Sequence, residues 1–144
     1  MSSAFVTVDK EFTVDFYDVD SMQVVWHGNY VKYMEVGRCA LLDKIGFGYK
    51  VMKENGYEFP VVDIKLKYVR PLEFGEKCMI RSMLTEYESC IKIKYEIYNS
   101  KGEIANKCES TQMAVNMKTK QSQMDCPEIF IKKVEALLAC EKSN

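Results

Sequence analysis

Residues 16–38 read FYDVDSMQVVWHGNYVKYMEVGR, and this stretch decides the fold because it sets a polar loop directly before a long apolar helix. The loop carries Asp20, the chain's only histidine, His27, and the pair Asn29–Tyr30. The N-terminus of a helix exposes backbone N–H groups without partners and a partial positive charge. A carboxylate in the preceding loop would therefore face a site suited to a developing oxyanion, as acyl transfer requires.

The helix that follows is predicted from about Asn29 to Ile45. Its apolar residues cover most of the circumference and leave a narrow polar stripe through Lys32, Glu35 and Asp43. A helix with this pattern must be buried on most of its surface. Gly37 in its interior costs helix stability relative to alanine, so we expect a neighbouring element to approach the backbone closely there.

Alternation of apolar and polar residues predicts five strands. The first ends near Tyr17, and the others follow the helix. Their approximate ranges are 62–69, 77–85, 91–98 and 103–117. Glycines at 46 and 48 end the long helix, residues 53–56 form a polar connection, and Asn99–Gly102 is a hairpin turn. A last helix begins at Asp125-Cys126-Pro127, with an apolar face formed by Phe130, Val134, Leu137 and Leu138.

Four consecutive strands with short links favour an antiparallel sheet, because parallel pairs need long crossover connections. The apolar helix would then lie across the concave face of that sheet, which gives an α+β fold. With 144 residues, of which 47% are apolar, the chain can bury one sizeable core. We therefore predict a single domain over residues 1–144.

Composition excludes several classes of partner. Twenty Lys and Arg residues against twenty-one Asp and Glu residues give a net charge of −1, without the basic block that nucleic acid binding requires. No apolar run approaches the length of a membrane span, and the N-terminus lacks the features of a signal peptide. The six cysteines contain no C-x-x-C pair, so we expect free thiols, no metal, no cofactor and a cytoplasmic location.

The loop and helix also match a known family. The matching positions are Asp20, the run Val24-Val25-Trp26-His27, Asn29-Tyr30, Glu35 and Arg38, followed downstream by the turn Tyr68-Val69-Arg70-Pro71-Leu72-Glu73-Phe74-Gly75-Glu76. On these residues the chain resembles the 4-hydroxybenzoyl-CoA thioesterase family, in particular its YbgC-like acyl-CoA thioesterase branch. The resemblance implies a hotdog fold, in which the antiparallel sheet wraps around the long central helix and a C-terminal helix follows.

The resemblance further implies hydrolysis of an acyl-CoA thioester to a free acid and CoA by a homodimer or homotetramer with the active site between subunits. Asp20 would act as nucleophile or as general base on water, and the two roles stay open. The neighbouring Asp18 would support the loop. From the residues alone, capping of its own loop is the favoured role of Asp20.

The remaining site residues are predicted from the same match. The backbone N–H of His27 would point at the thioester oxygen, while its imidazole could orient water or substrate. Asn29 and Tyr30 would cap and anchor the start of the helix. Glu35 and Arg38 would form an ion pair, with Glu35 as a second candidate acid. Arg70 belongs to the downstream turn and is one of the cations that could meet CoA phosphates.

Two departures from the family pattern keep alternatives open. Many relatives have glycine where this chain has Gln23. The basic cluster that meets CoA in the prototype is replaced by residues 87–90, Tyr-Glu-Ser-Cys, so Lys65, Lys67, Arg70, Lys92 or Lys94 would have to serve. An acyl-carrier-protein substrate and a non-catalytic acyl-thioester-binding protein are therefore retained as alternatives. A hotdog hydratase is disfavoured because it would need a differently spaced histidine and acid.

Overall fold

The structure is a computed structural model and describes residues 4–142. It contains seven strands and three α-helices within this range. The strands are β1 (Val6–Thr13), β2 (Tyr57–Glu58), β3 (Val61–Tyr68), β4 (Lys77–Glu86), β5 (Ile91–Tyr98), β6 (Ile104–Gln112) and β7 (Val115–Asn116). The helices are α1 (Tyr30–Ile45), α2 (Tyr49–Glu54) and α3 (Glu128–Lys142).

Five strands form one antiparallel sheet in the order β1-β4-β5-β6-β3, and β2 pairs with β7 in a separate two-stranded ribbon. Burial alternates along β5 and along β4 as far as Thr85, as expected for strands with one covered face. The buried face of β4 carries Cys78, Ile80, Ser82 and Leu84. The predicted antiparallel sheet and α+β class are confirmed.

Helix α1 packs mainly against β1, β4 and β5. Gly37 is the point of closest approach, because a Cβ atom built there would lie 2.4 Å from Ser82 Oγ and 3.1 Å from Ile80 Cδ1. The helix ends at Gly46, whose φ of 86° is left-handed and whose N–H donates to the carbonyls of Leu42 and Asp43. The long helix and its end are therefore as the sequence predicts.

The structure corrects three details of the predicted elements. Strand β1 ends at Thr13 rather than near Tyr17, because residues 16–18 turn into a 3-10 helix that leaves Phe16 71% exposed. Helix α2 was not predicted, and its C-terminal end overlaps the polar connection expected at residues 53–56. The predicted last strand is divided into β6 and β7.

The C-terminal helix closes one end of the core. Phe130 of α3 lies 5.2 Å from the ring of Phe47 and 5.9 Å from that of Phe59, measured between ring centroids. Val134 is fully buried one turn further along α3. These contacts hold the segment after α1 against α3, so the predicted apolar face of the last helix is used for packing.

Strand β3 lies at an edge of the sheet and keeps an apolar face uncovered. Its residues Val62, Ile64, Leu66 and Tyr68 share a face with the buried side chains of β6, but α1 packs mainly over the other half of the sheet. As a result Val62 is 54% exposed and Tyr68 is 49% exposed.

In the part of the chain that the structure describes, no helix is both long enough and apolar enough to span a membrane.

We predict that Gly37→Ala lowers the free energy of unfolding by about 1 kcal/mol. The added methyl group overpacks the contact with β4, which costs about 1–3 kcal/mol, and the higher helix propensity of alanine returns about 1 kcal/mol. Urea denaturation monitored by circular dichroism measures the difference. Ser82→Ala is the matched control, since Ser82 Oγ is buried and has no hydrogen-bond partner among residues 4–142. The double variant should regain most of the loss, and a stable single variant would contradict the close contact.

Candidate active site

The loop before α1 is a tight hairpin. The N–H of Trp26 donates to the carbonyl of Asp18 (3.0 Å), and the N–H of Asp20 donates to that of Val24 (2.9 Å). The N–H of Gln23 closes the turn on the carbonyl of Asp20 (3.0 Å). Gln23 has a φ of 67°, so it holds the left-handed position that follows a type I turn in such hairpins. Glutamine thus adopts the conformation in which glycine is favoured.

The carboxylate of Asp18 is sealed inside this loop. Only 2% of the residue is exposed. Its Oδ1 is bonded to the ammonium group of Lys32, and its Oδ2 accepts hydrogen bonds from the hydroxyl of Tyr33 (2.9 Å) and the N–H of Asp15 (3.1 Å). Burial by itself would raise the pKa of Asp18, but these three donors outweigh it and hold the pKa below its usual value. Asp18 is therefore an ionised anchor.

Asp20 has a different environment. One carboxylate oxygen, Oδ1, accepts a hydrogen bond from the N–H of Met22 (2.8 Å), and the side chain is only partly buried. Its second oxygen has no hydrogen-bond partner among residues 4–142. Of the two acids, Asp20 is thus the one whose carboxylate keeps an oxygen available to a substrate. The Met22 contact also shows that Asp20 bonds within its own turn, as many loop aspartates do.

His27 begins a single 3-10 turn, His27–Asn29, which leads directly into α1. No backbone hydrogen bond is donated by the N–H of His27 or Gly28 to any residue of the described range 4–142. The carbonyl of His27 accepts a hydrogen bond from the hydroxyl of Tyr68 (3.0 Å), which ties the end of β3 to this turn. The start of α1 thus presents two adjacent N–H donors together with the positive end of the helix.

Asn29 and Tyr30 fix the turn in different ways. The Asn29 side chain donates to the carbonyl of Asp18 (2.8 Å) and makes no capping bond to the helix N–H groups, in contrast to the predicted cap. Tyr30 is buried, with its ring 5.2 Å from that of Tyr68 and 6.0 Å from that of Tyr33. Burial raises the pKa of the Tyr30 phenol to about 12, so the group is neutral near pH 7.

The other predicted residues lie elsewhere. Arg38 is buried, pairs with Glu35 and donates from Nε to the hydroxyl of Tyr49 (2.8 Å), so this pair joins α1 to α2. Arg70 donates to the carbonyl of Ile104 (2.7 Å) and so holds the turn after β3. Within residues 4–142, no hydrogen bond or ion pair connects Glu35, Arg38 or Arg70 to the hairpin.

Sequence reasoning did not assign Lys32, Tyr33 or Tyr68 to the site. Lys32 lies in the polar stripe of α1. Its position in an otherwise apolar helix could have indicated an acidic partner, because a cation near apolar surface needs one. Nothing local distinguishes Tyr33 or Tyr68 from core residues.

The buried thiols of Cys78, Cys108 and Cys126 have pKa values raised by burial to about 12, which makes them inert as nucleophiles. In the described range 4–142, no three side chains of His, Cys, Asp or Glu converge as a metal site would require.

Comparison with known proteins identifies the family of this chain. The family model of the thioesterase-like superfamily matches residues 14–136, which include the hairpin, the 3-10 turn, α1 and every strand of the sheet except β1. The chain belongs to the thioesterase-like superfamily. The predicted family resemblance is confirmed at this level, and with it the hotdog fold and the class of thioester hydrolases.

Individual relatives agree with this family. A Bacillus subtilis protein named "Putative acyl-CoA thioesterase YneP" is 38% identical over 108 residues, which are 74% of this chain and 78% of that protein. The DHNA-CoA thioesterase from Staphylococcus aureus superimposes with a TM-score of 0.82 at 25% identity, over 95% of this chain and 93% of its own. The hypothetical protein SAV2348 of Staphylococcus aureus, solved in complex with CoA, shares the fold (TM-score 0.83, 16% identity, 93% of this chain and 85% of its own).

We predict that Asp18→Asn destabilises the protein by roughly 2–4 kcal/mol, because it removes a buried charge from three donors and leaves Lys32 unpaired. The depressed pKa of Asp18 means that its contribution is present above the unfolded-state pKa of about 4 and is lost as pH falls through the folded-state pKa. Denaturation at several pH values should therefore show a shallower acid limb in the variant. Asp15→Asn, the same change at an exposed position, should stay within about 0.5 kcal/mol of wild type.

Proposed function

We propose that this protein hydrolyses an acyl-CoA thioester to a free carboxylic acid and CoA, with Asp20 as the reacting acid. The observation that carries the proposal is that one hairpin-and-turn unit before α1 contains both a partly exposed carboxylate, Asp20, and two adjacent N–H groups without a hydrogen-bond partner among residues 4–142. Membership of the thioesterase-like superfamily supports the reaction class. The name of the relative that is 38% identical supports CoA as the thiol.

Asp20 has two routes to the product. As a nucleophile, its carboxylate oxygen forms a bond to the thioester carbonyl carbon and expels the CoA thiolate, and water then cleaves the resulting mixed anhydride. As a general base, it takes a proton from a water molecule whose oxygen forms that bond instead. Both routes use the oxygen of Asp20 that makes no hydrogen bond within the described range. The buried Asp18 cannot replace it, because both of its oxygens are already bonded.

The N–H groups of His27 and Gly28 would receive the negative charge that develops on the thioester oxygen. Fixed donors of this kind lower the barrier without reorganisation, and one of them is typically worth about 10²–10³ in rate. Tyr68 restrains the turn through the carbonyl of His27, so the donors are held in place before substrate binds. The exposed His27 imidazole is a further group that can contact water or substrate, and its catalytic role stays a prediction.

We further propose that two copies of the chain pair along β3. In an isolated subunit this edge strand leaves backbone hydrogen-bonding groups open to another strand, and it exposes the apolar side chains of Val62, Ile64 and Tyr68 to water. Tyr68 contacts His27, so a partner seated on this strand would border the candidate site. Homodimer, homotetramer, the cytoplasmic location and the single-domain organisation over residues 1–144 stay predictions, as do the YbgC-like branch and the residues that contact CoA.

We expect Asp20→Asn to lower kcat/KM by at least about 10² on the preferred ester, because asparagine can neither attack the carbonyl nor remove a proton. Hydrolysis of acyl-CoAs from acetyl to palmitoyl, and of benzoyl-CoA, would be followed by chromatographic separation of CoA. Asparagine can still accept the bond from Met22, so the turn should persist. Asp15→Asn serves as the control and should keep full activity.

The outcomes separate the alternatives. Full activity in Asp20→Asn would remove Asp20 from the mechanism and make Glu35 the next acid to test. If wild type turns over no CoA ester, acyl-carrier-protein thioesters should be tried next. Failure on these as well, with binding retained, would identify a non-catalytic acyl-thioester-binding protein.

We expect Ile64→Glu to reduce the molar mass in solution to that of one chain, because it places a charge on the apolar face of β3. Light scattering after size-exclusion chromatography measures the mass. Lys92→Glu, on the outward face of a central strand, is the matched control and should leave the assembly intact. An unchanged mass in Ile64→Glu would show that β3 is not the interface.

A further inference from the structure

The indole of Trp26 lies directly on Gly28. A Cβ atom built at Gly28 would fall 2.1 Å from ring carbon Cζ3 of Trp26 and 2.5 and 2.7 Å from two further ring atoms. Gly28 does not have a positive φ, so its backbone would accept other residues without strain. The position therefore excludes a side chain because the indole occupies the space that a side chain would need.

The position of this indole is fixed at its base and open on its surface. The N–H of Trp26 donates to the carbonyl of Asp18 (3.0 Å), and its carbonyl accepts from the N–H of Asn29 (2.9 Å). The ring lies 4.9 Å from that of His27 and is inclined to it by 46°. Nevertheless, 51% of Trp26 is exposed. A large apolar surface thus lies beside the N–H groups of His27 and Gly28, which have no hydrogen-bond partner in the part of the chain that the structure describes.

This arrangement limits what can contact the ring. If a thioester oxygen accepts hydrogen bonds from His27 and Gly28, the first carbon of its acyl group lies within about 5 Å of the donor nitrogens. The indole is in van der Waals contact with one of those two residues. An acyl group that extends from the carbonyl carbon toward Trp26 would cover the exposed part of the ring and remove apolar surface from water.

We propose that Trp26 is a specificity-determining residue that forms a wall of the acyl subsite and selects for acyl groups of several carbons over acetyl. This proposal rests on the proposed function, because the oxyanion position defines where the acyl group begins. Gly28 has a positioning role in the same subsite, since the absence of a side chain at this residue leaves the space that the indole occupies. Neither role requires the indole to take part in bond making.

Kinetics with a series of esters tests the selection. Trp26→Ala should lower kcat/KM for decanoyl-CoA by about tenfold or more while changing that for acetyl-CoA by less than about threefold. Trp26→Phe keeps a flat apolar ring and should stay within about threefold of wild type on both esters. An equal loss on both esters in Trp26→Ala would overturn the proposal, because it would indicate a role in folding or in the oxyanion turn.

Gly28→Ala independently tests the contact between Gly28 and the indole of Trp26. Its added methyl group must displace the indole, so it should also penalise decanoyl-CoA more than acetyl-CoA. In the Trp26→Ala background the same change should have little further effect on the preference between the two esters. Additive effects on this preference would contradict the contact between the two residues.

Fluorescence gives a readout that does not depend on turnover, because Trp26 is the chain's only tryptophan. Asp20→Asn would be titrated with decanoyl-CoA, acetyl-CoA and free CoA under selective excitation of tryptophan. We expect a saturable change in emission with decanoyl-CoA and a much smaller one with the other two probes. An equal response to free CoA would show that the indole contacts the thiol arm or the nucleotide, which overturns the acyl assignment.

The two proposals fail separately. If wild type hydrolyses no thioester but decanoyl-CoA still alters Trp26 emission selectively, hydrolysis is wrong and the acyl contact stands. If wild type hydrolyses thioesters but Trp26→Ala keeps the same preference among esters, the acyl contact is wrong and hydrolysis stands. Circular dichroism and the molar mass of each variant exclude loss of fold or assembly as the cause.

Discussion

The buried carboxylate of Asp18 is the interaction on which the loop before α1 depends. A charge that is only 2% exposed must be paired, because an unpaired charge in the interior is strongly destabilising. Its partners come from both sides of the loop, the backbone of Asp15 and the side chains of Lys32 and Tyr33. The loop therefore cannot move relative to the helix without leaving a buried charge unpaired. This restraint sets the position of the hairpin and of the 3-10 turn before any ligand binds.

The same restraint separates the roles of two acids that are only two residues apart. Asp18 has used its acceptor capacity on protein donors, whereas Asp20 lies where the hairpin turn begins and keeps one oxygen unbonded within the described range. A carboxylate fully engaged with the protein stabilises structure, whereas one that keeps an unbonded oxygen can still contact a substrate. The environment of each acid, rather than its residue type, thus makes Asp18 an anchor and leaves Asp20 as the acid proposed to react.

The position of α1 on the sheet explains the remaining surface. Because α1 packs mainly against β1, β4 and β5, the apolar face of β3 is left open. Tyr68, at the end of β3, bridges this open face to the turn at His27, and the ring of Trp26 lies 4.9 Å from that of the same histidine. The candidate site therefore lies at the boundary between covered and uncovered sheet, where a ligand or a second subunit can bury apolar surface that one chain leaves exposed.

The sequence by itself determined α1, β4, β5 and the antiparallel sheet, because their periodicity is a local record of which face is buried. It also placed Asp20 and His27 in one loop. It missed α2, whose six residues are too few to show a period, and it extended β1 through residues that fold into a 3-10 turn. Only the tertiary structure decided that Asp18 is sealed and that Trp26 lies on Gly28. The burial of Asp18 depends on hydrogen-bond donors that lie 14 and 15 residues further along the chain. The contact at Gly28 depends on the orientation of the Trp26 side chain. Neither the distant donors nor the side-chain orientation leaves a periodic signal in the sequence.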